Sequence, residues 1–211
     1  MAHLSEDCIP LRKEEIIITN LLQLNNHRLQ EPDVFLFRFP ANRTNSDARK
    51  AQHAFEYIHG IAKNLPSESV VCILTAPADA AHLLPVLERD KKLHFKLWIA
   101  VKTTQTQKPG VNNRLPERHA ALLVLTRYNN ALKHTKTRVA YSYCPTCHKT
   151  TKDYGGKKHL YHEYGTLISD VWRDIECEPA LDISPITNRL QDLFGLPPYK
   201  TLKIFDLRQC S

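Results

Sequence analysis

Apolar residues fall along this chain in two kinds of pattern. Val70-Val71-Cys72-Ile73-Leu74 and Ala120-Ala121-Leu122-Leu123-Val124-Leu125 are unbroken runs, as expected of strands covered on both faces. The segments 13–19, Asp33-Val34-Phe35-Leu36-Phe37, 95–101 and 203–207 read as further strands. Helical spacing lies between them. Leu21, Leu22, Leu24 and Leu29 make one stripe; Ala51, Ala54, Phe55, Ile58 and Ile61 make a second, which Ser46 or Asp47 is placed to cap. Ala80, Leu83, Leu84 and Leu87 predict a helix over 79–90 despite Pro85, and Ile186, Leu190, Leu193 and Phe194 predict one over 185–194, stopped by Gly195. This alternation predicts an α/β, Rossmann-like fold, a mostly parallel sheet flanked by helices. The segment 102–116, polar and carrying Pro109-Gly110, reads as a loop. Arg138 to Asp174 breaks the rhythm and predicts an inserted, loop-rich subdomain at 138–174, with 1–137 and 175–211 forming the core.

Composition narrows the class. At 211 residues and 42% hydrophobic the chain has enough apolar side chains for one sizeable core. The unbroken apolar runs are far shorter than the ~20 residues that span a bilayer. The start, Met-Ala-His-Leu-Ser-Glu-Asp, lacks the charged and apolar regions of a secretory signal. Both points predict a cytoplasmic protein with no membrane partner. Six cysteines at irregular spacing fit a reducing compartment. Cys8, Cys72, Cys177 and Cys210 read as packing or surface thiols.

Charge and candidate chemistry meet in one stretch. From Lys96 to Lys158 there are 13 Lys and Arg against Glu117 and Asp153, a net +11 in a chain of net +7. Such a face attracts a polyanion, and the interleaved Tyr128, Tyr141, Tyr143, Tyr154 and Tyr161 suit base stacking. The competing reading is a solvated surface that serves solubility. Arg127, Lys133, Lys136, Arg138, Lys149, Lys152, Tyr154, Lys157 and Lys158 are the candidate nucleic-acid contacts, with Gly155-Gly156 allowing close backbone approach. DNA is the expected ligand, with RNA left open. Within this stretch Cys144 and Cys147 stand at C-x2-C spacing, and His159 and His162 complete a candidate structural zinc set. That His pair is one residue tighter than finger spacing, so His148, His134 and Cys177 are held in reserve. The alternative here is a Pro-Thr turn with two unpaired thiols.

The order of the pieces resembles the permuted amino-group DNA methyltransferases, which methylate N6 of adenine or N4 of cytosine. The resemblance rests on residues spread over nearly the whole chain. They are Asp33 to Phe37 followed by Arg38-Phe39-Pro40-Ala41-Asn42, then Lys96-Leu97-Trp98-Ile99-Ala100-Val101-Lys102, then Leu115-Pro116-Glu117-Arg118-His119 leading into Ala120. Ile168-Ser169-Asp170-Val171-Trp172-Arg173-Asp174-Ile175 resembles the segment after target recognition, and Lys203-Ile204-Phe205-Asp206-Leu207 the strand that enters the cofactor loop.

The departures from that pattern set the expected function. Arg38 stands where the family supplies a side-chain oxygen to accept a hydrogen bond from the target amino group. A guanidinium only donates. Phe39 or Pro40 falls at the carbonyl-bearing proline, and Ala41 replaces the ring that stacks on the flipped base. No Gly-x-Gly occurs, and Leu207-Arg208-Gln209-Cys210-Ser211 follows Asp206 where a Gly-rich turn is expected. The resemblance therefore implies a pseudoenzyme, the DNA-recognising subunit of a heterodimeric, bacterial or phage-type restriction-modification enzyme, nucleoid-associated in the cell. S-adenosylmethionine is expected only in a catalytic partner subunit. Two alternatives stay open: a stand-alone zinc-containing nucleic-acid-binding protein, and half of a split, active methyltransferase.

Overall fold

A computed structural model describes residues 34–39, 56–62, 64–89, 91–104, 118–129, 131–150, 162–178, 182–195 and 202–206. The strand predicted at 13–19 and the helix at 20–29 lie outside the described residues. The runs that read as doubly covered strands are so covered. Strand β1 (Val34–Arg38) and β2 (Val70–Thr75) are buried at every position, and β4 (His119–Arg127) at all but its ends. Successive side chains of a strand point to opposite faces, so each run feeds two cores. Phe35, Phe37, Val71, Ile73, Leu123 and Leu125 meet Ile58 and Ile61 of helix α1 (56–62) and Ala80, Leu83 and Leu87 of α2 (Pro77–Glu88). Leu36, Cys72, Leu74, Leu122, Val124 and Trp172 meet Ile186, Leu190 and Leu193 of α3 (Ser184–Phe194) on the other face.

The helix ends follow from local chemistry. Pro77 opens α2, where a missing N–H costs nothing, and Pro85 sits on its exposed side. The Asp182 carboxylate accepts the Ser184 N–H at 2.8 Å ahead of α3. Gly195, at φ 60°, ends α3 in the left-handed conformation, as its position in the sequence predicts.

With β3 (Leu93–Thr103), β9 (Val171–Cys177) and β10 (Lys203–Asp206), the central sheet has six strands in the order β10-β1-β2-β4-β3-β9. The sheet is mixed. β1 runs parallel to β10 and β2, and β3 parallel to β9, while β4 is antiparallel to both β2 and β3. The crossover β2–α2–β3 leaves a gap one strand wide, and β4 returns into it. The β1–α1–β2 and β9–α3–β10 crossovers run across the sheet in opposite directions. Right-handed connections then put α1 and α3 on opposite faces, as observed.

Two small ladders leave this sheet: β5 (Arg138–Val139) with β8 (Thr166–Leu167), and β6 (Tyr143–Cys144) with β7 (Lys149–Thr150). β9 begins inside the 138–174 segment that the sequence sets apart, yet it belongs to the main sheet, with Trp172 in the core and its indole N–H donating to the Ser169 carbonyl at 3.1 Å.

Candidate functional site

In open α/β sheets, ligands collect beyond the carboxyl ends of the parallel strands, where crossovers part to opposite faces. Here that place is the junction of β1 and β10. Arg38 ends β1 opposite Asp206 of β10, and the guanidinium reaches the carboxylate at 3.4 Å. Arg38 is only 5% exposed. The next residue, Phe39, is buried and donates its N–H to the Leu74 carbonyl at 2.9 Å, extending the β1–β2 pairing by one step. Cys177, at the end of β9, has its thiol pushed up to about 11 by burial, against the lowering effect of the nearby Arg38 charge. Asp182 is held below the usual carboxylate range, first by its hydrogen bonds from Ser184 and to a lesser degree by Arg38. A buried cation tied to a carboxylate therefore fills the strand end. Pro40, Ala41 and Asn42 lie outside the described residues.

Further along the same edge, Ala100, Lys102, Arg118, His119, Val171, Trp172 and Arg173 line a shallow hollow of about 250 Å³. Lys102 pairs with Glu176 in solvent, an exchangeable contact of small worth. The sequence reading did not single out this group. Its signal is positional: Lys102 closes one apolar strand, and Arg118-His119 opens the next.

The residues predicted to contact nucleic acid divide. Because β4 runs against its neighbours, Arg127 emerges at the opposite edge of the sheet, roughly 25–30 Å from His119 at the usual strand rise. There its guanidinium lies 5.1 Å over the Tyr128 ring, and Lys133 faces Glu68 at 3.8 Å. Arg138 is engaged structurally, donating to the Gly165 carbonyl at 2.8 Å. Lys136 and Lys149 are exposed. Lys152, Tyr154, Lys157 and Lys158 lie outside the described residues.

Arg138 and Gly165 belong to the stem of an excursion that leaves the core after the chain crosses the end of α3. Thr135 fixes that crossing, its N–H donating to the Leu193 carbonyl at 2.7 Å and its hydroxyl to the Asp192 carbonyl at 2.6 Å. Gly165, at φ 98°, packs so closely on β5 that a Cβ there would stand 1.9 Å from the Val139 carbonyl oxygen. Beyond the stem, β6 and β7 form a hairpin around Cys144-Pro145-Thr146-Cys147-His148. His148 is left-handed at φ 55°, and its Nδ1 pairs with the Tyr143 hydroxyl at 2.8 Å. The Cys144 thiol is lowered from its ordinary value, chiefly by the backbone N–H groups of Cys147 and Thr146. His162 lies on the returning arm with its Nδ1 accepting the Tyr164 N–H at 3.3 Å. His159 lies outside the described residues, and among those described no three His, Cys, Asp or Glu side chains converge. Of the reserve ligands, His134 is exposed beside Thr135, and Cys177 is buried at the strand-end site. Tyr143, Tyr164 and Leu167 expose 58%, 69% and 51% of their surface.

Among the described residues, no helix is long and apolar enough to cross a membrane. No protein-family model matches the chain. A stretch of 88 residues, 41% of this chain, is 34% identical to the type II methyltransferase M.BamHI of Bacillus amyloliquefaciens, and it spans only 20% of that protein. The crystal structure of M1.HpyAVI superposes over 87% of this chain and 75% of its own, with a TM-score of 0.50 at 10% identity. A second structure, the M1.HpyAVI–SAM complex, overlaps on 52% of this chain and 50% of its own, with a TM-score of 0.38 at 13% identity. The chain thus has a methyltransferase-like fold and a weak homology to a type II DNA methyltransferase over two fifths of its length.

Proposed function

We propose that this chain is the non-catalytic, DNA-recognising subunit of a heteromeric amino-group DNA methyltransferase, and that S-adenosylmethionine and the active site reside in a partner subunit. The observation that carries the reading is Arg38. Methylating an exocyclic amine requires an acceptor beside it, because the amine becomes a better nucleophile when its proton is drawn towards an oxygen. Arg38 offers only donors, and its ion pair with Asp206 stabilises the cation in place.

DNA binding is assigned to the carboxyl edge and the excursion together. The return from β8 runs through Ile168-Ser169-Asp170 directly into Val171 and Arg173, which line the cationic hollow. The excursion and the hollow are therefore neighbours along the chain. Cations at the hollow suit phosphates, and exposed tyrosines suit bases or sugars. Arg127 and Lys133, at the opposite edge, stand outside this surface.

The test is transfer of a labelled methyl group from S-adenosylmethionine to a duplex oligonucleotide pool. The purified chain is expected to transfer none, to bind duplex with a strong salt dependence, and to restore methylation when its partner is added. Methyl transfer by the chain alone would overturn the reading. A second reading rests on the cationic side chains gathered at the carboxyl edge: a split active enzyme whose site this chain helps to build. In that case Arg38→Ala would change the methylation rate of the assembled complex. A silent subunit leaves that rate to the partner's own acceptor.

A further inference from the structure

We propose that Asp174 and Arg189 are positioning residues: they lock a bulge of β9 in the shape that presents Arg173 to the cationic hollow, where it receives one phosphate of the DNA backbone. The proposal rests on the DNA-binding reading above and names what keeps that site in shape.

Strand β9 leaves its ladder at this point. Val101 pairs with Trp172 and Thr103 with Cys177, so two steps along β3 answer five along β9. Three residues of β9 are therefore extra, and the strand bows out between Trp172 and Cys177. Regular bonds bracket the bow: the Ala100 N–H donates to the Asp170 carbonyl at 2.8 Å, and the Thr104 N–H to the Cys177 carbonyl at 3.1 Å. Backbone released from a ladder keeps a single shape only where side chains pin it.

The pin lies on the face away from the hollow. Ile99, Val101, Ala120 and Trp172 pack in the core under α3. Alternation then sends Ala100, Lys102, His119 and Val171 to the other face, where they line the hollow. On that face Glu176 of the bulge pairs with Lys102 in solvent and holds little. On the α3 face Asp174 pairs with Arg189, and these side chains are only 30% and 13% exposed.

Packing alone does not account for Arg189. Its Cζ lies 5.7 Å over the Trp172 ring, and its Nη1 is buried with no hydrogen-bond partner among the described residues. A hydrocarbon side chain would cover the indole without burying that donor. What the guanidinium adds is its grip on Asp174. Trp172 is itself fixed through its indole N–H, so the grip is anchored in the core. Arg173, the neighbour of Asp174, is exposed and lines the hollow with Arg118. Among the described residues no carboxylate pairs with either guanidinium. Two such forks at one hollow suit the oxygens of a phosphodiester.

Salt-dependent binding of the full-length chain to a duplex oligonucleotide tests this. Arg173→Ala is expected to lower the log–log slope by about 1, and Arg189→Met, which still covers Trp172, to lower it by a similar amount. In the double variant the loss should stay at about 1, because both changes remove the same contact. Asp174→Asn, at a partly exposed position, should match Arg189→Met and guards against a variant that misfolds. Additive losses overturn the positioning role, as does a lowered urea midpoint with an unchanged slope in both Arg189→Met and Asp174→Asn. An unchanged slope in Arg173→Ala overturns the contact itself. Inorganic phosphate separates this proposal from the DNA reading. Titrated into the unaltered chain, it should shift the Nε–H signals of Arg118 and Arg173, and in Arg189→Met that of Arg118 alone. Those shifts in a chain that binds no duplex would uphold the phosphate site and sink the DNA reading; duplex binding without the Arg173 shift would do the reverse.

Discussion

Every residue of β1 and β2 is buried, whereas the described residues beyond the β5–β8 stem bury only Gly165. The sheet is held by area: long apolar runs, each covered by helices on both faces, supply the burial on which stability rests. The excursion is held by points. These are a glycine pressed on a carbonyl, a guanidinium on the Gly165 backbone and a tyrosine on a histidine. Two regions built so differently should fail differently: loss of the sheet should unfold everything, and loss of the excursion should remove recognition and leave a folded core.

The largest effect is expected from Trp172→Ala. The ring is 1% exposed, so truncation should cost about 3–5 kcal/mol, read as a lower urea midpoint of the whole chain. Second is Gly165→Ala, which forces a Cβ against the Val139 carbonyl at a positive φ and should add strain on the order of 1–3 kcal/mol. Hydrogen exchange should rise across 138–167 while the sheet stays protected. If the sheet opens as well, the two regions form a single cooperative unit and the contrast drawn between them fails.

Third, replacing Lys102 and Arg118 with alanine should lower the log–log salt slope of DNA binding by about 2, one for each phosphate contact. The same change at Arg127 and Lys133, at the far edge, should leave the slope alone. Equal losses from both pairs would place DNA along the whole basic segment.

The smallest effect belongs to the start of α3. Asp182, held below the usual carboxylate range, contributes stability above the ordinary Asp pKa and loses it as pH falls through its lower folded value. Asp182→Ala should therefore lower the urea midpoint slightly at neutral pH, since the carboxylate is exposed and screened by solvent, and progressively less in acid, by urea melts across that range.

The strands at 34–38 and 70–75 were legible because an unbroken apolar run has few homes other than a sheet interior. Helix α3 was legible from its apolar stripe and Gly195. The direction of β4 was not. A strand covered on both faces shows the same residues whichever way it runs, and only its place between β2 and β3 sets the sense. β9 was hidden because Arg173, Asp174 and Glu176 face out from an edge strand, leaving Trp172 and Cys177 as its buried residues. In the candidate site, Arg38 and the cysteine pair could be named from the sequence. The cationic hollow could not, since Lys102 and Arg118 meet only because two strands end side by side.

Residue chemistry by itself settled which segments are buried, that Arg38 lacks an acceptor, and that the basic charge is concentrated between Lys96 and Lys158. These are properties that each side chain carries wherever it is placed. Tertiary structure alone decided that Lys102 and Arg118 stand at one edge of the sheet and Arg127 and Lys133 at the other, and that Arg38 is locked to Asp206, 168 residues away. Strand direction and long-range pairing fix those two facts, and both depend on which segments become neighbours when the two faces of the sheet are covered.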